Sequence, residues 1–322
     1  MLKKIILAGF ILSSLYAKDY VDIYRKEGIT KVEQELQSAL MDKSYWLGYL
    51  QDKNVTLGYY ETIKYILLTN KKTKQLRVFD NESYQLNEIL NHGVIVGKYE
   101  GDKQDKGDLK TPTGVYDLKA VRKDMGDFYG PLAFVTDYPN MLDRTKHKSG
   151  YGIWLHGYPL DANTTRNAYT KGCIALKNHA LLKLGGDINY RKSVLLINSG
   201  HFQKASKDEI ASILAFVYTW RKAWEDSDFD TYISFYSQDF KSSKGKNLTS
   251  FTKYKRRLFA QKEKKTIKLS RINISPYPNS YNKRIFRITM GESYHTKRYG
   301  FDGDKVLYIE LKDGKIYIIV EG

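Results

Sequence analysis

Apolar residues change their spacing twice along this chain, and each change predicts a different kind of structure. Val32, Leu36 and Leu40 recur four apart among charges and glutamines, followed by Tyr45-Trp46-Leu47, which predicts an amphipathic helix within residues 18–57. So short a helix has no core of its own and must dock on the next domain or on another copy of the chain; packing within the chain is the expectation, a homodimer through this N-terminal segment the alternative. From about residue 60 the pattern turns strand-like. Ile63–Leu68 and Gln75–Phe79 flank polar Thr69-Asn70-Lys71-Lys72 and predict a hairpin. Val94-Ile95-Val96-Gly97 is a short buried run, Thr111-Pro112-Thr113-Gly114-Val115-Tyr116 a turn entering a strand, and Ser193–Asn198 a closing strand. The one helix expected between them is 178–185, with Asn178 as cap and Gly185 as stop. Residues 137–150 form a basic stretch without periodicity.

After Gly200 the helical period returns strongly. Ile210, Ile213, Leu214, Val217, Trp220 and Trp224 share one face, and a second, shorter helix spans Asp228 to Tyr236. A Lys-rich run at 241–265 precedes strands at 266–274, 284–294 and 305–320, the last turning at Asp313-Gly314. Helices followed by an antiparallel sheet predict an α+β domain. Four segments follow: 1–17, 18–57, 58–199 and 200–322.

Residues 1–17 carry Lys3 and Lys4 ahead of an apolar run from Ile5 to Leu12, with Ala17 at a cleavage position. That pattern is a secretory signal and predicts export to the periplasm, a retained membrane anchor being the alternative. The whole sequence is globular in composition, with 42% hydrophobic and 28% charged residues. Its formal net charge is +17, which attracts polyanions. An exported chain without a helix-turn-helix or RNP-like run is not read as a nucleic-acid binder; anionic wall polymers or a membrane or wall surface are the expected partners.

Export sharpens the meaning of Cys173, the single cysteine in 322 residues. It cannot form an internal disulfide, which leaves a buried apolar role, an intermolecular link or a reactive nucleophile. It follows Gly172 and stands 17 positions after His156-Gly157. In Trp154-Leu155-His156 side chains alternate, so Trp154 and His156 share a face. A neighbouring imidazole activates a thiol by ion pairing, which makes His156 the candidate base. With no acid at an obvious spacing, the Gly157 carbonyl is the candidate group that orients it. The amides around Gly172 and Cys173 would meet a developing oxyanion, with Lys171 adding positive potential. A structural cysteine beside a core histidine is the competing interpretation. One cysteine, six scattered histidines and no HExxH or CxxC motif argue against a metal site, and no cofactor is expected.

His156-Gly157, then Thr170-Lys171-Gly172-Cys173-Ile174-Ala175-Leu176, preceded by Thr111-Pro112-Thr113-Gly114, resembles the L,D-transpeptidase catalytic (YkuD) domain over roughly 60–199. The resemblance implies a mainly β, sandwich-like catalytic domain with Cys173 as nucleophile, His156 as general base and acid, and Gly157 as the orienting carbonyl. It implies substrates among peptidoglycan stem peptides, cut between meso-diaminopimelate and the terminal D-alanine. The family commonly has Arg two positions after the cysteine, where this chain has Ala175. Hydrolytic branches that also lack it include the cell-shape-determining L,D-carboxypeptidases, whose layout ends in a domain of NTF2-like fold. Trp220–Trp224 through Asp228, Tyr232, Phe235-Tyr236-Ser237 and Asp239-Phe240 resembles the start of such a domain.

The expectation is therefore an exported L,D-carboxypeptidase that trims tetrapeptide stems. An L,D-transpeptidase is the alternative enzyme, and a non-catalytic wall-binding protein the alternative of another class. Trp154 and Thr170 are placed with the substrate groove. Arg144, Lys146, His147 and Lys148 are either carboxylate-binding or merely solvated, and Asn163 lies in an acidic-extended glycosylation sequon. His179 and His201 are assigned no role. The C-terminal domain is expected to enclose a pocket suited to glycan or peptide.

Overall fold

The computed structural model describes residues 20–123, 125–160 and 168–322. The expected signal at 1–17 and the Asn163 sequon lie outside them. Two helices open the described chain after residues 20–27, α1 (Ile29–Met41) and α2 (Lys43–Tyr49). Val32 and Trp46 of the expected apolar face are buried, whereas Leu36 is exposed. The helices pack on α5 (Lys207–Glu225) of the C-terminal domain and not on the sheet that follows them in sequence. Trp46 stacks on Tyr218 at 5.7 Å and donates its indole N–H to the Leu40 carbonyl at 2.8 Å. A short strand, β1 (Tyr59–Tyr60), continues this association by pairing antiparallel with β11 (Thr266–Tyr277).

The catalytic part is built from β2 (Tyr65–Asn70), β3 (Gln75–Asp80), β4 (Asn87–Ile95), β5 (Gly114–Arg122), β6 (Ala133–Thr136), β7 (Trp154–His156), β8 (Ile174–Leu176) and β9 (Ser193–Asn198). Two sheets, β5-β9-β2-β3-β4 and β4-β8-β7-β6-β5, share their outer strands β4 and β5. The sandwich is thereby closed edge to edge into an eight-stranded barrel, which leaves no unpaired edge. Leu67, Leu76, Val78, Leu118, Phe134, Leu155, Ile174 and Leu195 fill its interior.

Three helices depart from the sequence expectation. The basic stretch 137–150 contains α3 (Met141–Thr145), held by a capping box between Asn140 and Asp143 that a hydrophobic-period reading overlooks. α4 (Asn178–Asp187) runs through Gly185, and Asn178 is not its cap: its side chain accepts the Tyr158 N–H at 2.7 Å. The Lys-rich run holds α7 (Leu248–Phe259), capped by Asn247.

In the C-terminal domain α5, α6 (Phe229–Ser234) and α7 cover a sheet of order β1-β11-β12-β13-β14-β10. Its further strands are β10 (Tyr236–Ser242), β12 (Arg284–His295), β13 (Gly300–Lys312) and β14 (Lys315–Glu321). A separate apolar cluster joins this sheet to the barrel through Tyr60, Ile66, Val115, Leu196, Tyr277, Ile285 and Tyr308. At its margin Arg287 of β12 grips Asp117 of β5 through two hydrogen bonds of 2.8 and 2.7 Å. Burial alone would raise the Asp117 carboxyl, but the guanidinium outweighs it and holds the group down to about 2.

Replacing Arg287 with Met leaves Asp117 with Lys119, at 3.2 Å, as its remaining cation. Loss of one partner from a buried pair costs about 3–5 kcal/mol. Since the Asp117 side chain keeps 31% exposure, the expected loss is near the lower end, read as a shift in the urea midpoint.

Candidate active site

β7 and β8 are parallel neighbours with Leu155 opposite Ile174 and His156 opposite Ala175. Leu155, Ile174 and Leu176 point into the barrel core. Alternation then turns Trp154, His156, Cys173 and Ala175 to the other face, so the two expected catalytic side chains share that face.

His156 is 5% exposed, and its Nδ1 lies 2.7 Å from the Gly157 carbonyl. A carbonyl only accepts, so Nδ1 carries the proton and Nε2 keeps the lone pair. Gly157 is held in turn by its N–H, which donates to the Tyr129 carbonyl at 2.9 Å. A Cβ at Gly157 would strike Asn178 Oδ1 and come within 2.9 Å of Pro131 Cδ. Only glycine fits beneath the imidazole.

Tyr129, unnoticed in the sequence, ends a 3₁₀ turn at Asp127–Tyr129. Its ring meets His156 edge to face at 5.2 Å and Trp154 at 5.1 Å. Trp154 is thus half-buried as part of an aromatic wall around the base. No periodicity or spacing connects Tyr129 to His156; the only local signal is its place beside Gly130, which has φ +72° and lies against Gly157.

The nucleophile turn is pinned by Thr170. Its Oγ1 donates to the Cys173 carbonyl at 2.6 Å and accepts the Gly172 N–H at 3.1 Å, while its own N–H donates to the Val96 carbonyl at 2.8 Å. Gly172 has φ +128°, and a Cβ there would meet the Lys110 carbonyl at 2.8 Å. Both constraints demand glycine. The Gly172 amide, expected at the oxyanion, is instead occupied within the turn. Lys171 is exposed and Ala175 buried beside His156.

Cys173 is half-buried, and its thiol donates to the Gly152 carbonyl at 3.3 Å. Burial pushes its pKa above the ordinary 9.0, against a Trp154 backbone hydrogen bond and the Lys103 charge, which pull it down. Burial likewise lowers His156 below 6.5, opposed by the bond to Gly157. The expected ion pair is therefore not the resting arrangement: both groups are neutral, because desolvation penalises either charge.

Nor does the basic stretch offer its charges to substrate as a group. Lys148 is buried between Asp102 and Asp143, at 2.7 and 2.8 Å. Asp102 also accepts the Thr113 N–H at 2.8 Å, and Tyr116 donates to Asp143 at 3.0 Å. This cluster joins the Thr-Pro-Thr-Gly turn to α3.

The comparisons agree with this architecture. The pattern of the L,D-transpeptidase catalytic domain matches residues 64–195, and that of the Cds6 C-terminal NTF2-like domain matches 212–322. The chain is similar to the helical cell shape determining protein Pgp2 from Campylobacter jejuni, at 43% identity and TM-score 0.82, over 88% of this chain and 99% of that one. A point mutant of Pgp2 gives 42% and 0.84 over the same shares. Bd1075 from Bdellovibrio bacteriovorus is 28% identical with TM-score 0.66, over 83% of this chain and 96% of that one. No curated protein matches the chain.

Substituting Gly157 by Ala is expected to displace the carbonyl that orients His156. Misplacing a catalytic group by about 1 Å costs about 100-fold in rate, so kcat should fall at least that far while the circular dichroism spectrum is retained.

Proposed function

Because this chain belongs to the family that joins an L,D-transpeptidase catalytic domain to a C-terminal NTF2-like domain, we propose that it is an exported L,D-carboxypeptidase acting on peptidoglycan tetrapeptide stems. A peptidoglycan-modifying role follows from the family. Hydrolysis in place of cross-linking is our inference, and the observation that carries it is Ala175. It lies opposite His156 on the adjacent strand, so the position where the family commonly has Arg presents only a methyl group beside the base. That removes a cation able to hold the carboxylate of an incoming stem, and leaves water as the acceptor.

In the proposed reaction Cys173 Sγ adds to the diaminopimelate carbonyl as His156 Nε2 takes the thiol proton. The C–N bond to D-alanine then breaks, and the imidazolium returns the proton to the leaving amine. Water attacks the thioester, giving its proton to Nε2. The C–S bond breaks, the tripeptide acid leaves and the thiol is restored. The Nδ1 bond to Gly157 persists throughout and stabilises the imidazolium at each stage. The likeness to Pgp2, named for helical cell shape, supports a role in shaping the wall, and the sequence of residues 1–17 supports delivery to the periplasm.

Purified tetrapeptide muropeptides incubated with the protein should lose one D-alanine without forming dimers, as read by mass spectrometry, and Cys173→Ala should abolish the loss. Cross-linked dimers would make the enzyme a transpeptidase. The two pKa directions predict the pH profile of kcat/KM. Neutral His156 is needed as base and its pKa is lowered, so the acid limb should fall below pH 6.5. The thiol pKa is raised, so no further gain from thiolate is expected until above pH 9.0.

A further inference from the structure

Just ahead of Thr170 in the chain, Tyr169 lines a cavity of about 390 Å³ together with Lys71, Lys72, Lys74, Lys98 and Tyr99, within the range of about 300–1,000 Å³ typical of small-ligand sites. Four of the lining residues are lysines and one, Glu100, is acidic. Among the described residues none of the four has an ion-pair partner. Lys103, Lys148 and Lys283, by contrast, are each matched to an acid within 3 Å. Lys98 stands 5.1 and 5.2 Å from the ring centroids of Tyr99 and Tyr169. Lys71 is partly buried and donates two of its three protons to the Gly101 and Thr111 carbonyls at 2.6 and 2.7 Å, which leaves one for a ligand.

The wall of the cavity adjoins the nucleophile turn, because Ala168 and Tyr169, which line it, lead directly into Thr170. Gly97 on its wall is bridged to Thr170, and its N–H donates to Thr111 Oγ1 at 2.8 Å. Tyr169 and Cys173 are four steps apart, at most about 14 Å of chain, a distance on the scale of one extended stem. We propose that this cavity is an anion subsite that takes a stem carboxylate upstream of the scissile bond, an assignment that rests on the peptidoglycan reading above. It would align the stem along the Tyr169–Cys173 segment, and charge-assisted bonds to a partly desolvated lysine would select acidic stems over amidated ones.

Three peptides test this by calorimetry on full-length Cys173→Ala protein at fixed low salt: the tetrapeptide stem and two forms with the glutamate or the free diaminopimelate carboxylate amidated. Lys74 and Lys98 are exposed, so the K74Q/K98Q pair is expected to leave thermal unfolding unchanged. In that background the acidic stem should bind about tenfold more weakly, while one amidated form binds both proteins alike at the weaker level. Equal affinity of the acidic stem for both proteins would overturn the subsite, as would equal losses on all three peptides. Displacement of the stem by inorganic phosphate at matching concentration, only where the lysines are present, would reassign the cavity to phosphate and overturn it too. A parallel assay with Cys173 intact separates the two ideas. Stem binding that depends on the lysines without D-alanine release would sink the carboxypeptidase reading alone, and D-alanine release with lysine-independent binding would sink the subsite alone.

Discussion

The parallel pairing of β7 with β8 constrains almost everything else in the catalytic domain. Two strands of three residues each set His156 opposite Ala175 and bring the start of β8 beside Trp154. Parallel neighbours cannot be joined by a tight turn, so the chain between them must leave the sheet and return, and the return is the Thr170–Cys173 turn. Strands so short contribute few hydrogen bonds to hold their register. The register is held instead from both faces: by Leu155 and Ile174, fully buried in the barrel core, and by the Gly157 and Thr170 bonds outside it. The glycines at 157 and 172 are consequences of that arrangement, since each lies where backbone or side chain from another segment occupies the space of a Cβ.

Charge is used in two ways in this basic protein. Lys148 and Arg287 are buried and matched, and they fasten the loops and the two domains to one another. Such pairs add little net stability over apolar replacements, yet breaking one is costly, so they act as latches on geometry. The surface excess of lysine is the opposite case: exposed ammonium groups interact weakly with one another through water and remain available to anions. The net charge of +17 is therefore a statement about partners more than about the fold.

Much of this was legible in the sequence because strong period and strong punctuation coincided. β9, α5 and the β13–β14 hairpin stand where apolar spacing and Asp313-Gly314 put them, and His156, Gly157, Gly172 and Cys173 carried the family resemblance. What escaped was long-range. α3 is too short for a period and depends on a capping box. The α1–α2 segment was expected to dock within the chain, but nothing local says that its partner is α5, more than a hundred residues away. Tyr129 reaches His156 only through the β6–β7 pairing. The burial of Lys148 escaped as well, because one of its two carboxylates, Asp102, lies 46 positions away.

The neutral state of the Cys173–His156 pair follows from the same burial that gives the site its shape. An ion pair between the buried imidazole and the half-buried thiol would lose much of the hydration of both charges, and one mutual attraction does not reliably offset that loss. Two neutral groups incur no such loss: the thiol is satisfied by Gly152 and the imidazole by Gly157. The cost moves to the chemical step, where charge must be created, and there the dry surroundings help, because dipoles aimed at the developing charge act more strongly than in water. The Gly157 carbonyl is such a dipole, fixed before substrate arrives and directed at the ring that becomes cationic. Ala175 completes the reasoning. A guanidinium on the strand next to His156 would oppose formation of the imidazolium, so its absence would leave the base free to charge and discharge in both halves of the proposed cycle.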